Sequence, residues 1–162
     1  MIDCYIGLGS NLDDPLKHVS QAIAELQHLP KSRLLASSRL YRSKPMGPAN
    51  QPDYINAVVK LATELSPHAL LDELQTIEQQ HQRLRTGQRW GPRTLDLDLL
   101  IYGNQLLNDE RLVVPHAGLV ERNFVLYPLS DVADGQLEIP GQGVLHEIIK
   151  NVSDKGLELL DR

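Results

Sequence analysis

The chain has 162 residues, of which 41% are hydrophobic and 23% charged, so length and composition favour one globular domain over residues 1–162. Its net charge of −5 argues against a nucleic-acid-binding or membrane-binding surface, because such surfaces are broadly basic. A single cysteine excludes an internal disulfide, and the absence of a basic-then-apolar N-terminus or an apolar run near ~20 residues predicts a cytoplasmic protein without a membrane span.

The first half of the chain carries alternating strand and helix signals. Residues 3–9 predict a strand, and a helix follows Pro15 with apolar residues at spacings of three and four. Residues 34–43 predict a second strand. Residues 44–52, KPMGPANQP, contain three prolines and a glycine and therefore predict a loop. β-Branched residues over 54–63 predict a third strand.

A second helix and a fourth strand complete a recognisable order. The helix begins at Pro67, residues 83–93 form a glycine-containing segment, and residues 94–103 predict the strand. The order β-α-β-β-α-β predicts a ferredoxin-like α+β core, in which two helices cover one face of an antiparallel sheet. The last third, with a hairpin and short helices over 125–132 and 144–150, is expected to cover the other face as a three-layer α/β/α sandwich.

Two aspartates stand one residue apart in the fourth predicted strand. Side chains at i and i+2 share a strand face about 6.6 Å apart, so Asp96 and Asp98 face together while Leu95, Leu97 and Leu99 face the helices. An isolated D-x-D is also compatible with a solvated strand face. Two carboxylates this close nevertheless repel unless a cation lies between them, and their oxygens suit Mg²⁺ bound to substrate phosphates.

Arginines cluster just before these aspartates. Every Lys or Arg between Lys60 and Lys150 is an arginine, namely Arg83, Arg85, Arg89, Arg93, Arg111 and Arg122. Arginine binds phosphate oxygens bidentately, whereas an ordinary solvated surface mixes in lysine. Arginines followed by two candidate metal ligands indicate a polyphosphate site.

The common phosphate-binding loops are missing. GLGSN begins like G-x-G-x-x-G but has Leu12 at the third glycine position, and no G-K-[ST] occurs. Rossmann or P-loop binding is therefore not predicted. The two glycine- and proline-containing loops are expected to close over the site instead.

A second set of residues suits a flat ring. Tyr54 and Asn56 share a strand face, which gives one aromatic surface beside an amide that both donates and accepts hydrogen bonds. His116 and Phe124, taken singly, are compatible with a turn residue and a core residue.

With these residues in view, the sequence resembles the 6-hydroxymethyl-7,8-dihydropterin pyrophosphokinase family of folate biosynthesis. The resemblance runs nearly end to end and is carried by IGLGSNL at 6–12, YRSKPMGP at 41–48, QPDYINA at 51–57, RWGPRTLDLDLL at 89–100 and ERLVVPH at 110–116. It implies transfer of pyrophosphate from ATP, the co-substrate, to the hydroxymethyl oxygen of 6-hydroxymethyl-7,8-dihydropterin, with two Mg²⁺ ions and release of AMP. We expect a monomer without nucleic-acid or membrane partners.

The resemblance also implies site residues. Both metal ions would be held by Asp96 and Asp98, and Arg83 and Arg93 would be catalytic loop arginines. The pterin would contact Ser43, Tyr54, Asn56, Trp90 and Phe124. ATP would contact Gln75, Glu78, Arg85, Arg89, Leu99, Arg111, His116 and Arg122. Lys44 and Ala117 depart from the family pattern.

Two other functions are compatible with parts of the sequence. An RNA-recognition module shares the strand order and would stack bases on sheet aromatics such as Tyr5 and Tyr54, but it does not explain Asp96 and Asp98. A small-molecule regulatory module without catalysis would not need the arginine-rich segment.

Overall fold

A computed structural model describes residues 1–45, 51–82 and 94–160. Within these ranges the strands are β1 (Ile2–Ser10), β2 (Ser32–Ser37), β3 (Tyr41–Ser43), β4 (Tyr54–Thr63), β5 (Asp96–Tyr102), β6 (Leu107–Asn108), β7 (Val113–Val114), β8 (Glu138–Ile139), β9 (Gly143–Val144) and β10 (Glu158–Leu159). The α-helices are α1 (Pro15–Leu26), α2 (Pro67–Gln82), α3 (Asn123–Val132) and α4 (Leu145–Ile149), and residues Leu119–Glu121 form a 3₁₀ turn. Among the helices so described, none is long and apolar enough to span a bilayer.

Six strands form one antiparallel sheet, which confirms the predicted combination of an antiparallel sheet with helices. The strand order is β10-β3-β4-β1-β5, and β2 also pairs with β4. The predicted second strand is therefore two strands, because β2 pairs with the C-terminal half of β4 and β3 with its N-terminal half. Between them, the backbone N–H of Ser38 donates to the Val58 carbonyl, and the Ser38 hydroxyl accepts the Val58 N–H. The Ser38 hydroxyl thus replaces a backbone carbonyl as the acceptor of the Val58 N–H, and the regular backbone pairing with β4 is interrupted between β2 and β3.

The sheet buries apolar side chains on both faces. One cluster joins alternate residues of β1 and β5, among them Ile6, Leu97 and Leu99, to the apolar stripes of α1 and α2. Full burial of a leucine of this kind contributes about 1.5–3 kcal/mol. The predicted inward direction of the leucines is thus confirmed, and Asp96 and Asp98 project to the opposite face.

Most of the C-terminal third, from the 3₁₀ turn through α4, packs on that opposite face, whereas Leu112 and Val114 of the hairpin region pack in the first cluster, contrary to the expectation that the hairpin covers the other face. Tyr5 and Val58 of the sheet join α3, α4 and the residues around them in a second buried cluster. The predicted hairpin is confirmed as β6 and β7, and the two predicted short helices are α3 and α4. Because Tyr5 is only 4% exposed, it is not available to stack a base, which removes one support for the RNA-recognition alternative.

Candidate functional site

A cavity of about 190 Å³ remains open on the sheet face that the C-terminal third covers only in part. Its walls come from four neighbouring strands, β3, β4, β1 and β5, and from Arg122, Phe124 and Val125 at the start of α3. Seven of the predicted site residues line it, namely Ser43, Tyr54, Asn56, Asp96, Asp98, Arg122 and Phe124. Lys44, where the sequence departs from the family pattern, lines it as well.

Two glycines of β1 form the floor of this cavity. Gly9 pairs with Asn56 on one side and Asp96 on the other, and Gly7 pairs with Val58 and Asp98. Neither glycine has a positive φ, so the missing side chain is what matters here. Gly9 leaves space between the amide of β4 and the carboxylates of β5, whereas the space beside Gly7 is taken by the Leu100 side chain, 3.4 Å from where a Cβ would lie.

The residues that follow these glycines hold neighbouring segments. The Ser10 hydroxyl donates to the Thr94 carbonyl just before β5, and the Asn11 amide donates to the Pro52 carbonyl, 3.2 Å away, just before β4. From sequence alone GLGSN is an incomplete phosphate loop, so these roles are not predicted. The one sequence feature that could have indicated this part of the site is the pair Gly7 and Gly9, which stand at i and i+2 and therefore share one face of the strand.

The carboxylate of Asp98 lies near an oriented imidazole. His116 Nε2 is 3.9 Å from Asp98 Oδ2, and the backbone N–H of His116 donates to the Leu100 carbonyl at 2.9 Å. His116 Nδ1 accepts the N–H of Gly118 at 3.2 Å. Nδ1 is therefore unprotonated, so the ring proton of a neutral His116 lies on Nε2, facing Asp98.

The strand carrying the two aspartates is held at its outer edge by α2. Glu78 Oε2 accepts the backbone N–H of Leu97 at 2.7 Å. Leu97 lies between Asp96 and Asp98 and opposite Leu8 of β1, and its N–H donates to Glu78 rather than across the ladder to β1. The Glu78 carboxylate therefore fixes the backbone from which both aspartates project.

We expect Glu78→Ala to lower the free energy of unfolding by about 1–3 kcal/mol, because it leaves the Leu97 N–H without its acceptor. Glu78→Gln retains an acceptor oxygen and should lose less. Urea unfolding of both variants measures the difference, with Glu73→Ala on the same helix as a control. An unchanged stability in Glu78→Ala would contradict this role for Glu78.

The predicted ring-binding residues come together with a fixed amide orientation. Asn56 Nδ2 donates to Ser43 Oγ at 2.7 Å, which leaves Asn56 Oδ1 as an acceptor beside the glycine floor. Tyr54 and Phe124 line the same cavity from β4 and α3. The Arg122 guanidinium carbon lies 6.0 Å from the centroid of the Phe124 ring.

The helix that carries Phe124 is tethered to the sheet. Asp131, in the last turn of α3, accepts hydrogen bonds from the Arg39 guanidinium and the Tyr41 hydroxyl, each at 2.8 Å. Burial alone would raise the pKa of Asp131, but these hydrogen bonds outweigh it, so the pKa lies below its ordinary value. The carboxylate is thus charged at neutral pH and helps to keep α3 on the sheet.

Of the predicted ATP contacts that the structure describes, only Arg122 lines the cavity, and Gln75, Leu99 and Arg111, like Glu78 and His116, lie outside its lining. Arg111 donates to Asp72 at 2.5 Å and to Gln75 at 3.4 Å, which links the turn after β6 to α2. Leu99 is 3% exposed and packs in the first core cluster, so only its main chain is left to contact a nucleotide. Arg83, Arg85, Arg89, Trp90 and Arg93 lie outside the described residues, as do residues 46–50 of the first loop.

Cys4 has no place in this chemistry. Its side chain is fully buried in the first cluster, and burial raises the pKa of its thiol to about 12. A thiol of this kind supplies no nucleophilic thiolate at neutral pH.

Comparison with known proteins assigns the chain to a family. Residues 5–134 match the model of 7,8-dihydro-6-hydroxymethylpterin-pyrophosphokinase (HPPK). The curated 2-amino-4-hydroxy-6-hydroxymethyldihydropteridine pyrophosphokinase of Haemophilus influenzae is 47% identical over 95% of both chains. Its namesake from Pseudomonas aeruginosa is 47% identical over 96% of this chain and 95% of that protein.

Solved structures agree with this match. The chain superposes on an HPPK-DHPS crystal structure in complex with substrates with a TM-score of 0.72 and 12% identity, which shows a shared fold. The match covers 92% of this chain but 43% of the other, so the chain spans less than half of that longer protein. From the family model and from relatives 47% identical over nearly their full length, we conclude that the chain belongs to the HPPK family.

Proposed function

We propose that the chain transfers the pyrophosphoryl group of ATP to the hydroxymethyl oxygen of 6-hydroxymethyl-7,8-dihydropterin in tetrahydrofolate biosynthesis. The supporting observation is one cavity that joins two carboxylates, Asp96 and Asp98, to an aromatic and amide set on the neighbouring strand. The hydroxymethyl oxygen forms a bond to the β-phosphorus of ATP. The bond from that phosphorus to the oxygen bridging the α-phosphate breaks, AMP leaves with that oxygen, and the hydroxyl proton is released.

The pterin ring fits the part of the cavity near β4. Tyr54 and Phe124 offer aromatic faces for stacking, and Asn56 Oδ1 is directed to accept a ring N–H because its amide nitrogen already donates to Ser43. Trp90 is proposed to cover this site. The ring would then lie beside the glycine floor, with the carboxylates on the far side of that floor.

The residues proposed to lie nearest the ATP phosphates suit Mg²⁺ binding. Asp96 and Asp98 supply oxygen ligands, and the described part of the chain holds no group of three His, Cys, Asp or Glu that would form a closed protein site. Such a donor set suits Mg²⁺, which completes its shell with water and substrate phosphates. We propose two ions, which when bound neutralise charge on the triphosphate.

The remaining site residues are proposed to hold and orient ATP. Arg83 and Arg93 are the proposed catalytic arginines, because phosphoryl transfer depends on charge neutralisation and in-line positioning. The nucleotide contacts are proposed as Gln75, Glu78, Arg85, Arg89, Leu99, Arg111, His116 and Arg122. The 3.9 Å approach of His116 to Asp98 supports a nucleotide that extends from the β6–β7 side to the aspartates.

We also propose a finer description of the fold. The order of β2 or β3, β4, β1 and β5, with helices on both faces, supports a ferredoxin-like core in a three-layer sandwich and one domain over residues 1–162. A monomer in the cytoplasm stays a prediction.

The direct test mixes the protein with ATP, MgCl₂ and the pterin alcohol and identifies the nucleotide product. We expect AMP, formed in equal amount to the pterin diphosphate. ADP as the product, or no turnover in folded protein, would contradict the proposed function.

A further inference from the structure

Two buried histidines join α1 to the end of α2. His18 Nδ1 and His81 Nδ1 are 2.6 Å apart, and the two side chains belong to residues that are 5% and 3% exposed. Their rings meet edge to face, with centroids 4.9 Å apart. The other ring nitrogen of His81, Nε2, lies 2.5 Å from Glu25 Oε1 on α1. The three side chains form a continuous hydrogen-bonded row outside the cavity.

The short distance between the two Nδ1 atoms limits how many protons the pair holds. A hydrogen bond between two ring nitrogens needs one N–H and one bare nitrogen, so one His must have an unprotonated Nδ1. An imidazolium carries a proton on both ring nitrogens. His18 and His81 therefore cannot both be imidazolium while this contact exists, whichever of them is the donor.

The surrounding groups indicate which ring stays neutral. Burial lowers the pKa of His18, and the nearby His81 lowers it further. Asp13 and Asp14, from the turn before α1, act in the opposite direction without reversing the shift. On the far side, Glu25 accepts from His81. These contacts are all satisfied when a neutral His18 accepts from Nδ1 of His81 and Nε2 of His81 donates to Glu25, so that His81 holds both ring protons and the pair carries one positive charge.

We propose that His18 and His81 form an acid-sensitive junction between α1 and α2, closed by a single proton shared between the two rings and opened by uptake of a second. With a second proton both rings would be cationic. Their two Nδ1–H groups would then face each other 2.6 Å apart, with no acceptor between them. The junction lies one helical turn beyond Glu78, so it also seats the turn of α2 that holds the Leu97 N–H. Its opening in acid would loosen the packing of α2 on both α1 and β5.

The sign of the pH effect follows from the lowered pKa of His18. Below the ordinary histidine value of 6.5, the unfolded chain binds a proton at this position that the folded chain resists. The stability contributed by the unprotonated His18 ring is therefore complete above about pH 6.5, and this contribution falls as the pH drops below that value. For one proton, the unfolding equilibrium constant rises by up to about tenfold per pH unit within that window.

Urea unfolding between pH 7.5 and 5 tests the junction without any measurement of turnover. We expect His18→Gln to be less stable than the wild type at pH 7.5 but to lose clearly less stability on acidification, because glutamine does not titrate. His28→Gln, which removes an exposed histidine just after α1, should keep the wild-type pH dependence. The same pH dependence in His18→Gln and wild type would overturn the proposal.

The wild-type protein provides a second readout that needs no variant. Long-range ¹H–¹⁵N NMR of the imidazoles distinguishes a protonated ring nitrogen from a bare one. At pH 7.5 we expect one protonated and one bare Nδ1 in this pair, and in acid both rings should change together with the amide signals of α1 and α2. Two bare Nδ1 atoms at pH 7.5, or two imidazolium rings in unperturbed folded protein, would overturn it.

Discussion

Replacing Asp98 with asparagine is expected to lower kcat/KM by at least about a thousandfold, which corresponds to about 4 kcal/mol of transition-state stabilisation. The substitution keeps the size of the side chain and removes only its charge, which the proposed Mg²⁺ site requires. The Asp98 side chain is 48% exposed and outside both core clusters, so the fold should survive. Asp96→Asn is expected to behave in the same way.

Steady-state formation of AMP over a range of Mg²⁺ concentrations measures this loss. Asp3→Asn is a matched control, because Asp3 belongs to the neighbouring strand β1 but contacts Lys60 rather than the cavity. The control should retain full activity, and removal of Mg²⁺ with a chelator should abolish activity in wild type and control alike. Folded Asp98→Asn with substantial Mg²⁺-dependent turnover would show that the carboxylate does not hold the metal.

The direction of the aspartates could be predicted because it depends only on local periodicity. A strand alternates its side chains, so placing Leu97 and Leu99 in the core forces Asp96 and Asp98 to the other face. The loss of this alternation after Leu99 was not predictable in the same way. Ile6 pairs with Leu99 while Tyr5 pairs with Ile101, so an extra residue is inserted there.

Features that depend on distant partners could not be predicted from the sequence. The break after β2 depends on Val58, which lies 20 residues beyond Ser38. Phe124 resembles an ordinary core residue until the docking of α3 places it at the cavity. His18 and His81 are 63 residues apart and share no local pattern, so only the packing of α1 on α2 reveals their contact.

The position of the glycine floor also depends on distant strands, and a substitution there is expected to have the second large effect. Replacing Gly9 with valine should lower kcat/KM for the pterin by about a hundredfold or more, equivalent to about 2.7 kcal/mol. A Cβ at this position would lie 3.6 Å from Asn56 Oδ1 and 3.7 Å from Tyr54 Cδ1, which is ordinary contact distance. The γ-methyl groups, however, would extend into a cavity of only about 190 Å³.

The expected loss is in ligand binding rather than in folding, because valine suits a strand and Gly9 has no positive φ. Direct pterin binding and urea unfolding, measured on the same preparations, separate the two effects. Gly9→Ala should give an intermediate loss of binding, and Gly135→Ala, whose Cβ would meet His146 away from the cavity, should bind as the wild type does. If Gly9→Val folds and binds the pterin with unchanged affinity, the ring does not lie beside Gly9, and the proposed position of the substrate between β4 and the aspartates would have to be abandoned.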